Sequence, residues 1–140
     1  MKIPLTLLLS TLVLAIPLAG METKPPTLAG TAWIVTAIDG TIPLPDRAVT
    51  IEFGEDNRIS GNSTCNRFMG SCTIDGDQIT VSPLAGTRMF CGAELMAQEQ
   101  RFLDLLQTAQ TWTLSPGGRL ILKGKKGEIE ARRQEENPVP

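Results

Sequence analysis

The sequence predicts an α+β fold: an antiparallel, barrel-like β-sheet of about eight short strands with one α-helix packed against it. Three observations lead there. Short alternating segments run from Gly30 to Val81 and again from Gln110 to Ala131, each cut by glycine, proline, asparagine or aspartate turns. Only Gly92 to Ala109 carries a sustained helical spacing of apolar residues. Strands and helices do not alternate, so the βαβ rhythm of a parallel sheet is missing.

In chain order, Gly30 to Asp39 is rich in β-branched residues and is expected as the first strand. Regular alternation puts Trp33, Val35 and Ala37 on one face and Ile34, Thr36 and Ile38 on the other, with Trp33 as a core anchor. Asp39-Gly40 turns the chain, and Ile42 to Asp46 is a proline-broken loop. Val49, Ile51 and Phe53 point inward from the next strand. Gly54 to Asn57 reverses it, and Arg58 to Gly61 returns. The small polar run Asn62-Ser63-Thr64 suits an irregular stretch. Asn66 to Ile74 reads as a short hairpin or as a strand with a bend; a two-residue turn at Met69-Gly70 would set Cys72 opposite Arg67. Asp75-Gly76-Asp77 is a hairpin turn before Gln78 to Val81, and Leu84 to Phe90 is a further extended segment.

In the helix, Leu95, Phe102, Leu106 and Ala109 form an apolar stripe that Met96, Leu103 and Leu105 widen. Glu94, Gln98, Arg101 and Asp104 lie toward water. Glu99 falls on the apolar side, where a carboxylate needs a buried donor, an arginine or backbone N–H groups. Three closing strands follow at Gln110 to Leu114, Arg119 to Leu122 and Glu128 to Ala131. Lys123, Lys125 and Lys126 crowd one hairpin as a solvated edge that discourages strand-to-strand association.

The 140 residues suit one domain. The net charge of −2 gives no basic field for nucleic acid. Residues 1–20 have the pattern of a signal peptide: Lys2 at the start, an apolar run from Leu5 to Leu18, and small residues at Ala19-Gly20. Their removal takes one charge, that of Lys2. Leu18-Ala19-Gly20 matches a bacterial lipoprotein signal, but Met21 stands where the acylated cysteine belongs, so lipidation there is chemically impossible. A periplasmic or secreted protein is expected, with no membrane association or a peripheral one, or else a protein held by its uncleaved signal; a true start at Met21 would instead leave it in the cytoplasm. Residues 21–28 form a proline-containing linker, 29–133 the domain, and 134–140 a disordered tail.

No convincing catalytic site is found in the sequence. The chain has no histidine, which removes the usual general base and the commonest zinc ligand. Three scattered cysteines do not make a zinc site or a Cys-x-x-Cys motif. Asp75 and Asp77 lack the further oxygen ligands of an EF-hand loop. Gly117-Gly118 is followed by Arg119-Leu120, not by the Lys-Ser or Lys-Thr of a phosphate loop. No metal and no cofactor is expected.

Gly30-Thr31 with Trp33, Ser60-Gly61 followed by Cys65-Asn66 and Gly70, Thr87 with Cys91, the helical Glu99 and the Leu120-Ile121-Leu122 run together resemble the META domain family, which includes the bacterial heat-shock protein HslJ. The resemblance covers about Leu28 to Ala131. It implies a small barrel-like α+β domain, an extracytoplasmic bacterial setting, an association with stress or envelope functions, and no established enzymatic activity. Two positions depart from the family pattern. Cys72 stands where an aromatic, often tyrosine, is usual, and Gly92 where proline often starts the helix.

Three cysteines allow three pairings. Cys65–Cys91 is favoured in an exported protein, tying the central strands to the helix start and stabilising the fold by roughly 3 kcal/mol; Cys65–Cys72 is the lesser alternative. Cys72 is then a buried small hydrophobe or, on the other branch, an exposed reactive thiol. Asn66 is expected to satisfy backbone groups of the irregular Gly61–Thr64 segment. Arg67 and Arg88 are candidate partners of Glu99 in a buried pair. The function these readings support is a non-enzymatic, monomeric binding module for a hydrophobic ligand or an envelope protein. The competing class is a redox protein or enzyme using Cys72 or Cys91.

Overall fold

A computed structural model describes residues 26–135, together with Lys2, 12–16 and Gly20. The rest of the expected signal peptide and linker, including Met21, and tail residues 136–140 lie outside the described residues. The strands are β1 (Thr31–Ile38), β2 (Thr50–Phe53), β3 (Arg58–Asn62), β4 (Arg67–Asp75), β5 (Gln78–Val81) and β6 (Ala85–Gly86). The helix α1 (Ala93–Gln107) follows, then β7 (Ala109–Leu114), β8 (Leu120–Gly124) and β9 (Gly127–Arg133).

All strand pairings are antiparallel. The order β3-β2-β1-β9-β8-β7-β5-β4 closes on itself through β3–β4, so eight strands make a barrel with no open edge between them. The short β6 adds to the same side of β4 as β5. Phe68 pairs with Gly86 where Cys72 pairs with Val81, so β6 continues the β5 edge after an irregularity at 82–84.

Alternation builds the interior. Val49, Ile51, Phe53, Ile59, Phe68, Ile79, Leu120, Leu122 and Ile129 are buried, and Trp33 anchors them from β1. The indole N–H donates to Thr31 Oγ1 at 2.7 Å, and that hydroxyl donates to Leu28 O at 2.6 Å, so the polar end of the ring is satisfied inside the core. Leu28 itself is buried, which brings the core into the last residue of the expected linker. At the other end Gln134 N–H still donates to Ala32 O, so pairing runs one residue into the expected tail.

Three local expectations are corrected. Strand β1 does not alternate to its end: the register shifts between Val35 and Ala37, leaving Thr36 as an extra residue whose hydroxyl bonds Glu130 O. The bulge turns Ile38 inward with Trp33 and Val35, and leaves Ala37 only half-buried. Strand β4 is unbroken, with no turn at Met69-Gly70, because β3 pairs with it continuously from Arg67 to Ser71; Cys72 therefore faces Val81 on β5, not Arg67. Of the expected extended segment Leu84 to Phe90, only Ala85–Gly86 is strand.

Helix α1 covers one end of the barrel and touches β9, β5 and β8. Phe102, Leu105 and Leu106 enter the core, and Phe102 meets Phe68 edge-to-face with ring centroids 5.7 Å apart. Gly92 is the N-cap residue with φ 102°, a conformation closed to proline.

Candidate functional site

The loop between β3 and β4 is buried although its residues are polar. Ser63, Thr64 and Asn66 are each nearly inaccessible, and Thr64 takes a φ of 135°, unusual for a β-branched residue. Such a loop persists only if its polar groups are answered. One residue of α1 supplies most of the answer. Glu99 Oε1 accepts from Ser63 Oγ at 2.7 Å, Asn66 N–H at 2.8 Å and Cys65 N–H at 3.1 Å, while Oε2 accepts from Asn66 Nδ2 at 2.8 Å. Gln98, one residue earlier, donates to Thr64 Oγ1 and accepts from Leu44 N–H. It is half-buried and bridges two loops instead of lying in water as its helical position suggested.

Burial alone would raise the Glu99 carboxyl. The Asn66 and Ser63 side chains and the N–H groups of Asn66 and Cys65 outweigh it and hold the group below its ordinary value. Glu99 is therefore a carboxylate whose acceptor sites are filled by its own chain. That arrangement suits it to hold a loop in place, not to move a proton.

Arg67 and Arg88 do not pair with Glu99. Strand alternation turns Phe68 inward and Arg67 out, and Arg88 lies on an exposed segment. Asn66 also departs from expectation. Its side chain does not serve the Gly61–Thr64 backbone but reaches across to Thr87 and Met89. Oδ1 accepts from Met89 N–H at 2.7 Å and Thr87 Oγ1 at 3.0 Å, and Nδ2 donates to Met89 O at 3.1 Å. The carboxamide answers Met89 as a peptide group would, carrying the β4–β6 pairing one step beyond its end.

Cys65 and Cys91 are joined by a disulfide, with Cα atoms 5.9 Å apart. It closes the same corner from the other side, fixing the buried loop to the residue before the helix cap. Cys72 is free and 3% exposed, and burial pushes its thiol up. Raised, a thiol is less often the reactive thiolate.

The anchored segment forms one wall of a groove of about 510 Å³, with α1 as the other. Leu84, Met89, Phe90, Met96 and Leu103 give it apolar surface, and Arg67 and Arg88 give it positive charge. Phe90 is 79% exposed and Met89 53%. Glu99 is the one carboxylate in the lining, and it faces its four internal donors. Ser63, Gln98, Met89 and Phe90 carry no signal in the sequence that marks them as members of this corner, because their roles depend on loops with no periodicity.

Comparison with solved structures gives the fold. The chain is similar to an NMR structure of a protein from Burkholderia xenovorans, with a TM-score of 0.64 and 24% identity over 78% of this chain and 85% of that one. A second NMR structure matches with a TM-score of 0.62 and 24% identity over 75% and 90% of the two chains. A crystal structure of a DUF4847 family protein from Bacteroides vulgatus matches with a TM-score of 0.55 and 15% identity over 79% and 96%. No curated protein matches. The sequence model of the META domain matches residues 26–137, a span that holds the whole barrel, the helix and the Glu99–Asn66 corner, and the chain belongs to the META domain family.

Proposed function

We propose that this chain is an exported, non-enzymatic binding module acting in bacterial envelope stress tolerance, and that the groove between α1 and the Leu84–Phe90 segment is its binding surface. The observation that carries the reading is the exposure of Phe90 and Met89 beside two arginines that have no ion pair among the described residues. Large apolar side chains held at a surface by a dedicated internal network favour contact with something else. The Cys65–Cys91 bond supports an oxidising compartment. The thiol-dependent alternative draws nothing from the geometry: Cys91 is bonded, and Cys72 is buried with a raised thiol.

The test is complementation. A strain lacking the protein is supplied with the wild-type chain, with Phe90→Ser, or with Thr113→Ser on the exposed outside of β7. Survival of envelope stress is scored, and each variant's level and melting temperature in the envelope fraction are measured. The reading expects Phe90→Ser to be stable, exported and inactive while Thr113→Ser complements fully. A stable Phe90→Ser protein that complements as well as wild type sinks it.

A further inference from the structure

We propose that the groove takes an extended peptide segment bearing carboxylates and apolar side chains, added as a strand along the outer edge of β6. This deepens the binding-module reading and rests on it. The main-chain ladder shows the edge. Thr87 N–H donates to Arg67 O at 3.1 Å, and Arg67 N–H donates back to Thr87 Oγ1 at 3.1 Å, so both main-chain N–H groups of this pair point across the β4–β6 seam. Main-chain groups alternate sides along an antiparallel strand, so the N–H and C=O of Gly86, paired with Phe68, turn away from β4. Among the described residues β6 pairs with no strand but β4, and nothing else takes the outward N–H and C=O of Gly86 or those of Arg88.

The next outward group in the other direction is Leu84 N–H, which Gln107 Oε1 of the helix takes at 3.0 Å. A helix side chain thus ends the free edge at Leu84 and leaves it open from Gly86 onward, along the groove. Gly86 itself keeps β6 close: a Cβ there would lie 2.7 Å from Arg67 O, so a side chain would push the edge off β4. A free main-chain edge with side-chain pockets beside it is the geometry of strand addition.

Charge and apolar surface choose the occupant. Arg67 and Arg88 call for carboxylates, and the single carboxylate in the lining is already held by four donors. Leu84, Phe90, Met96 and Leu103 call for apolar side chains. An anionic lipid would satisfy the arginines and the apolar wall but would leave the Gly86 amide and carbonyl without partners, whereas a peptide satisfies all three.

The experiment follows backbone amide resonances of the isotope-labelled protein. The probe is a blocked heptapeptide of alternating glutamate and valine. Saturable shifts centred on Gly86 and Arg88 are expected. Binding weakens at least about tenfold when lysine replaces the peptide's glutamates, when its alternate amides are N-methylated, or when the protein carries Arg88→Glu. An N-methylated peptide that binds as well as its parent overturns strand addition. If the peptide has no effect but decanoate or phosphatidylglycerol vesicles move the same groove amides, the binding surface stands and the peptide proposal is overturned. If none of these probes moves them, both are overturned.

Discussion

Asn66 Nδ2 donates to Glu99 Oε2 at 2.8 Å, and this contact links the helix, the buried loop and the lip of the groove. Glu99 rides on α1. Asn66 ends the buried loop and grips Met89 through both ends of its carboxamide. The lip that exposes Phe90 is therefore set by a carboxylate two steps away. The sequence placed Glu99 on the apolar face of its helix and required a buried donor there; the structure shows that donors from one loop fill both oxygens.

Glu99→Gln tests how completely that carboxylate is committed. All its partners donate, and an amide offers one acceptor and one donor. Asn66 cannot turn over to help, because its Oδ1 already accepts from Met89 N–H and Thr87 Oγ1. The substitution sets two NH₂ groups against each other in a buried site. A loss of roughly 3 kcal/mol is expected in urea unfolding. A loss within a few tenths of the wild-type value shows that the network carries little stability.

The same group makes a pH prediction. Its folded carboxyl is held below the ordinary 4.5, so its contribution is full above the unfolded value and is lost as pH falls through the folded one. The stability gap between wild type and Glu99→Gln is expected to be constant above about pH 5 and to shrink progressively below it. Other carboxylates titrate in both proteins and cancel in the difference. A gap that widens on acidification contradicts the assigned direction.

Asn66→Ala separates the lip from the barrel. It removes the acceptor for Thr87 and Met89 and one donor to Glu99, at a cost of about 2 kcal/mol. The local effect is the sharper one. Amide exchange at Met89 is expected to accelerate far more than at Ile51 in the buried β2 strand. Equal acceleration at both positions indicates that Asn66 supports the whole fold and does not act as a clamp on the lip.

The barrel was legible because its signals are local. Alternation at Val49, Ile51 and Phe53, turn residues at Asp39-Gly40 and Asp75-Gly76, and one helical stripe specify strands, reversals and the helix without tertiary knowledge. The bulge at Thr36 was not legible, since one inserted residue leaves no trace in composition. The same holds for the corner. Nothing local tells that Asn66 will reach Met89; the two meet only because the chain after β5 runs back along β4 as β6.

Cysteine chemistry supplies the last prediction. The Cys65–Cys91 bond spans 26 residues of chain and pins the buried loop beside the helix cap. Constraining the unfolded chain over that length contributes roughly 3 kcal/mol, so the Cys65→Ser, Cys91→Ser double variant is expected to unfold at correspondingly lower urea. Its cost falls first on the loop that holds Glu99, because two of the four donors to that carboxylate are the amides of Cys65 and Asn66. Cys72 behaves differently. It is buried with its thiol raised, so a maleimide label is expected to leave the native wild-type protein unmodified and to add once after unfolding without reductant. Rapid labelling of the native protein at Cys72 contradicts its placement in the core and revives the thiol chemistry that the fold otherwise leaves without a site.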